Sequence, residues 1–328
     1  KYVLMKGYEG LGDRWQVLIQ VVEYAKCTNR TIVCDWRDHM WSNGEIYDFD
    51  KYLRISGVKQ ITLKEFSKIY KKNNMKMSVT PKVWSGKKLL DGDYNGEIYK
   101  DKYNLVGGDG GLQEICDKKR PDYSEDIVVY IGLKGRTHFW DRFKHVKMTN
   151  YTKDLIKNSK IINKLRPTLH NSKYITIHMR GGDRVLEKYA NGSNNKESYV
   201  ENLLNNLNNK IEETNIKDVV ILSDSQFLID EFNKKFKKKD VKLYYSDVPQ
   251  FSKKVNEYGL HKIPKEELKK ANISKKRILD NNFIDFYLLL MADHVICDPI
   301  SNFSNVATHI QEGSHNNKRK YSMGLNFK

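Results

Sequence analysis

The chain has 328 residues, 39% of them hydrophobic and 11% aromatic, with 58 Lys and Arg against 41 Asp and Glu, a net charge of +17. That much apolar material builds a core for one large domain or two ordinary ones, and it excludes wholesale disorder; 6 Pro and 20 Gly exclude a collagen-like repeat. The charge would draw polyanions, but only twelve of the basic residues are Arg, too few for a nucleic-acid surface of Arg interleaved with aromatics.

In chain order, Tyr2–Met5 reads as a strand, followed by the turn Gly7–Gly12. Asp13 then stands where a helix N-cap is expected, and Trp15, Leu18, Ile19, Val22 and Ala25 recur at helical spacing. Thr31–Cys34 is a continuous apolar strand ending in Asp35-Trp36-Arg37, which completes a β-α-β unit of a parallel sheet. Signals weaken from Trp41 to about Gln113. Ile127–Ile131 is the next strand, and Leu155–Leu165 a helix stopped by Pro167. Beyond it come the strand Tyr174–Met179, a helix over Glu197–Glu213 and the strand Val219–Leu222. Ser223-Asp224-Ser225 is placed to cap a helix over Gln226–Phe236. Val241–Tyr245, the apolar helix Phe283–Met291 and the strand His294–Cys297 complete the run. This alternation predicts a doubly wound, Rossmann-like second half, with a domain boundary at 168/169.

No apolar run nears the roughly 20 residues that span a bilayer. The longest is Phe286–Ala292. The four cysteines form no C-x-x-C pair and read as free thiols in a reducing compartment, so a cytoplasmic home is expected. The chain starts at Lys1, already on a strand, and a trimmed leader or anchor stays open.

Polar residues just past strand ends are the first candidates in such an architecture. Arg180, at the end of a strand and beside Gly181 and Gly182, suits phosphate: its planar fork takes two oxygens, and glycines let backbone N–H groups approach. Ser301, Asn302, Phe303 and Ser304 open the last helix, where hydroxyls and backbone donors form an anion site. Asp285 lies inside an apolar helix, where a carboxylate needs a partner or a cleft.

Together these segments resemble the α1,6-fucosyltransferases of glycosyltransferase family 23 and, behind them, the protein O-fucosyltransferases. Gly10-Leu11-Gly12-Asp13 and Asn29–Arg37 are similar to that family's N-terminal segment. Ile177–Asp183 resembles its first motif, Leu222–Ser225 the second, and Ile284–Leu289 with Ser301–Ser304 the third. The resemblance implies an α/β protein of the GT-B fold, two Rossmann-like lobes facing a central cleft: an acceptor lobe over 1–168 and a donor-nucleotide lobe over 169–328. It implies inverting, metal-independent transfer of fucose from GDP-fucose to a glycan hydroxyl, with no cofactor and no nucleic-acid partner.

Carried onto this sequence, the resemblance gives Arg180 the β-phosphate, His178 and Asp285 the guanosine, and Asp224 a place near the donor. Ser301 and Ser304 fall near the phosphates, with Asn302 and Phe303 between them; Gly10 and Gly12 join the donor-binding set. The core enzymes have a second arginine where Gly181 stands here, and Asp183 and Arg184 are placed to compensate. The general base is Glu187 or Asp183, since transfer requires a proton to leave the acceptor hydroxyl. Trp36 and Trp41, with Trp84 behind them, are candidate sugar platforms. A transferase using another nucleotide sugar, or a non-catalytic nucleic-acid- or glycan-binding protein, is the alternative.

Overall fold

The computed structural model describes residues 1–7, 10–37, 49–92, 94, 111–119, 121–131, 140–171, 173–181, 196–247, 263–297 and 301–312. The chain divides into two compact units, one over Lys1–Thr152 and one over Lys153–Gln311.

In the first unit, β1 (Tyr2–Lys6), β2 (Thr31–Asp35), β4 (Val79–Thr80) and β5 (Ile127–Ile131) form a parallel sheet in the order β2-β1-β5-β4. Helix α1 (Leu11–Thr28) links β1 to β2 and buries Trp15, Leu18, Ile19 and Val22, the stripe that the sequence predicts. It starts three residues earlier than expected: Gly10 is its N-cap and Asp13 sits in the first turn, where its charge favours the helix dipole. Strands β3 (Leu53–Ile55) and β6 (Val146–Met148) pair antiparallel.

The second unit repeats the plan. Strands β7 (Tyr174–Met179), β8 (Asp218–Ser223), β9 (Lys242–Tyr245) and β10 (His294–Cys297) are parallel, in the order β10-β7-β8-β9. All six residues of β7 are buried, as expected of a strand covered on both faces. The helix expected to stop before Pro167 is two: α3 (Asn150–Lys157) and α4 (Lys160–Asn171), the latter running through Pro167. α4 packs against β9, and the units accordingly part at Thr152/Lys153, ahead of the 168/169 boundary read from the sequence. Among the described residues no helix is long and apolar enough to cross a membrane.

The first unit is tied by buried charge. The fully buried Arg30 donates through Nε to Asp122 Oδ2 (2.9 Å) and through Nη1 and Nη2 to the carbonyls of Glu125 (3.0 Å) and Tyr123 (2.5 Å), fixing the stretch that leads into β5. At the carboxyl ends of β1 and β2, Lys6 Nζ donates to Asp35 Oδ2 (2.8 Å), and Arg37 binds the same carboxylate through Nε (2.7 Å) and Nη2 (3.0 Å). Burial pushes the Asp35 carboxyl up, and the two cations outweigh it and hold it below its ordinary value.

The expectation of four free thiols is corrected. Cys27 at the end of α1 and Cys116 at the end of α2 (Gly111–Cys116) form a disulfide across 89 residues, with Cα atoms 5.3 Å apart. Cys34 and Cys297 are free. Such a bond is of the kind that persists in oxidising compartments. It limits the unfolded chain and contributes about 2–4 kcal/mol. A Cys27→Ser variant is expected to lose that amount in urea titrations, and reductant is expected to lower the wild-type midpoint toward the variant's.

Candidate nucleotide site

The candidate residues converge at the carboxyl end of the second sheet. Strands β7 and β10 lie side by side with His178 opposite Cys297. This is where the strand order reverses, since the chain runs β7-β8-β9 to one side and returns on the other as β10. Ligands of doubly wound sheets bind at such a switch point.

His178 is the penultimate residue of β7 and is 7% exposed. Its Nδ1 lies 3.1 Å from the hydroxyl of Ser304, which donates in turn to the Ser301 carbonyl (3.3 Å). Burial and the nearby Arg180 guanidinium lower its pKa to about 3, so the imidazole is neutral at any working pH. Its ring packs on Phe303, 5.6 Å between centroids, and Phe303 packs on Phe286 at the same spacing. Helix α8 (Asn302–Glu312) starts here, directly after Ser301.

Two polar atoms in this corner are buried without a hydrogen-bond partner among the described residues: Arg180 Nε and the Ser301 hydroxyl. A native interior rarely leaves such groups unsatisfied, because each costs the desolvation of a hydrogen-bonding atom. A cationic donor and a hydroxyl beside the N-terminus of an eleven-residue helix fit an anion.

The main chain behind Arg180 is clamped. The Arg180 amide donates to Tyr199 Oη on α5 (Lys196–Thr214) at 3.2 Å, and the Gly181 amide donates to Asp224 Oδ1 at 2.5 Å. Gly181 is obligatory here: a Cβ at this position would meet Ser225 Cβ at 2.1 Å. The second arginine of the core enzymes therefore has no room. Ser225 precedes α6 (Gln226–Lys235) but makes no side-chain cap bond, contrary to expectation; its amide instead donates to the Ser223 hydroxyl oxygen (3.0 Å).

Asp285 lies on α7 (Lys275–Met291) and accepts from the Ser246 hydroxyl at 2.7 Å, just beyond β9. Burial, with the charge of Asp247, raises its pKa to about 7 against the Ser246 hydrogen bond. It therefore stands toward the β8–β9 side of the sheet, since the Ser246 amide also bonds the Ile221 carbonyl of β8 (3.0 Å).

Not every expected site residue gathers here. Gly10 and Gly12 open α1 in the first unit. Trp36 is fully buried, packed edge-on against Phe49 (4.8 Å) and Trp15 (5.8 Å), its indole N–H donating to Met5 Sδ (3.4 Å). It is core and offers no face to a sugar. Trp84 is likewise buried, beneath the Lys6 ammonium. Asp183, Glu187 and Trp41 lie outside the described residues. Sequence reasoning missed Tyr199, a helical tyrosine with no motif around it.

No protein-family model matches the chain, and no curated protein does. Solved structures do. The chain is similar to the fucosyltransferase NodZ from Bradyrhizobium, with a TM-score of 0.59 and 17% identity over 94% of this chain and 91% of that one. It is similar to NodZ alpha-1,6-fucosyltransferase soaked with GDP-fucose (TM-score 0.56, 17% identity, 94% and 91% covered). It is also similar to POFUT1 in complex with GDP-fucose (TM-score 0.56, 14% identity, 95% and 94% covered). The fold is therefore the GT-B arrangement of two Rossmann-like units.

Proposed function

We propose that the chain is a glycosyltransferase that moves fucose from GDP-fucose to a hydroxyl of a glycan acceptor, with inversion and without a bound metal. The observation that carries the reading is the pair of buried polar atoms with no partner among the described residues, Arg180 Nε and the Ser301 hydroxyl, at the switch point of the second sheet. The GDP-fucose held by the similarly folded NodZ and POFUT1 supports the choice of donor.

In this reading the acceptor oxygen attacks the anomeric carbon as the bond from that carbon to the β-phosphate breaks, and a carboxylate takes the acceptor proton. Asp183 and Glu187 are the candidates for that base. GDP leaves with more negative charge than it had as an ester, and the fixed Arg180 guanidinium stabilises that gain. This role is the one a metal ion plays elsewhere, which is the reason for proposing none. The neutral His178 supplies a hydrogen bond and no charge. The Asp285 carboxylate, once ionised, accepts from the adjacent ring and exocyclic N–H groups of guanine, a pair that adenine lacks.

Thermal unfolding with GDP, GDP-fucose, UDP and dTDP tests this, since a ligand of the native state alone raises the midpoint with its affinity. Stabilisation by GDP and GDP-fucose, unchanged by EDTA, is expected. A preference for UDP or dTDP overturns the donor, and no response to any nucleotide overturns the reading.

A further inference from the structure

We propose that Tyr199 and Asp224 are positioning residues that aim Arg180 at the donor phosphate by gripping two successive main-chain amides. The inference rests on the phosphate-binding role of Arg180 proposed above. At the end of β7 the ladder stops: Met179 is the last residue paired with β8, opposite Ser223. The next two amides, those of Arg180 and Gly181, have no strand to bond. They find side-chain oxygens from two other elements, Tyr199 from α5 and Asp224 from the turn after β8. The grip fixes the backbone from which the Arg180 side chain springs, and the Nε of that side chain is buried with no hydrogen-bond partner among the described residues.

The clamp also explains the glycine. With Ser225 Cβ 2.1 Å and Asp224 Oδ1 3.3 Å from where a Cβ would stand, the main chain at 181 lies flush against the 223–225 turn, the approach that the Asp224 bond needs. Asp224 thus serves the donor through Gly181 rather than by touching it. An extended arginine is flexible, and its value as an anion ligand depends on how little freedom is left to lose on binding.

The test compares GDP with guanosine by calorimetry, because only GDP reaches Arg180. Wild-type protein is expected to bind GDP more tightly than guanosine, and Arg180→Ala to remove that preference. If either fails, the phosphate reading fails and not the clamp. With both in place, Tyr199→Phe and Asp224→Ala are each expected to weaken GDP about tenfold, the scale of losing one partner of a buried amide, while guanosine binding holds. Asp224→Asn keeps an acceptor oxygen and is expected to restore GDP binding. Loss of GDP and guanosine together, with a lowered melting midpoint, would mean a structural role only. Unchanged GDP affinity in both Tyr199→Phe and Asp224→Ala would overturn the clamp.

Discussion

An Arg180→Ala variant is expected to transfer fucose about 100- to 1000-fold more slowly than the wild type while its melting midpoint holds. The magnitude follows from removing one fixed donor from a leaving group that gains charge in the transition state. The midpoint is expected to hold because the Arg180 Nε has no hydrogen-bond partner among the described residues to lose. The backbone clamp to Tyr199 and Asp224 uses main-chain amides, which alanine retains. Steady-state rates with GDP-fucose, read beside a thermal scan, decide the matter. Near-normal transfer would remove Arg180 from the reaction, and a collapsed midpoint would make it structural.

Guanosine affinity is expected to fall as the solution is acidified through neutrality, by about 20-fold between pH 7.5 and 5.5 for a single carboxyl that must ionise near pH 7. The group is Asp285, whose pKa burial raises to about 7. Guanosine is the right probe because it carries no phosphate of its own to titrate. His178 adds nothing in this window, being neutral well below it. The fold's own stability moves the opposite way. The folded state holds the Asp285 proton more tightly than the unfolded chain does, so this contribution is full below the ordinary value of 3.8 and is lost as pH rises toward 7. Binding and folding thus pull the same proton in opposite directions. Asp285→Asn should bind guanosine weakly at every pH, and a flat wild-type profile would dismiss Asp285 as the guanine ligand.

Much of the second unit was legible because its strands are buried on both faces and so appear as largely apolar runs, Tyr174–Met179 and Val219–Leu222 above all. Arg180 and Ser301 became candidates by the rule that ligands gather past strand ends, and Asp285 as a carboxylate inside an apolar helix; the donor roles came from the family resemblance. Other features left no local trace. The Cys27–Cys116 bond joins residues 89 apart, and nothing in their spacing sets them apart from Cys34 and Cys297. Trp36 follows a strand as a sugar platform would, yet its ring turns inward to Phe49 and Trp15; direction is a tertiary property. The start of α1 was misplaced because Gly10 caps it without a side chain, leaving Asp13 as the more visible signal.

The contact between Gly181 and Ser225 makes the two positions a single unit of heredity. Any side chain at 181 meets Ser225 Cβ, so a lineage could gain an arginine there only after position 225 had shrunk to glycine. The reverse order passes through a chain that cannot close the turn. The single-arginine form of the motif is thus held in place by its neighbour, and the path to the double-arginine form opens at residue 225.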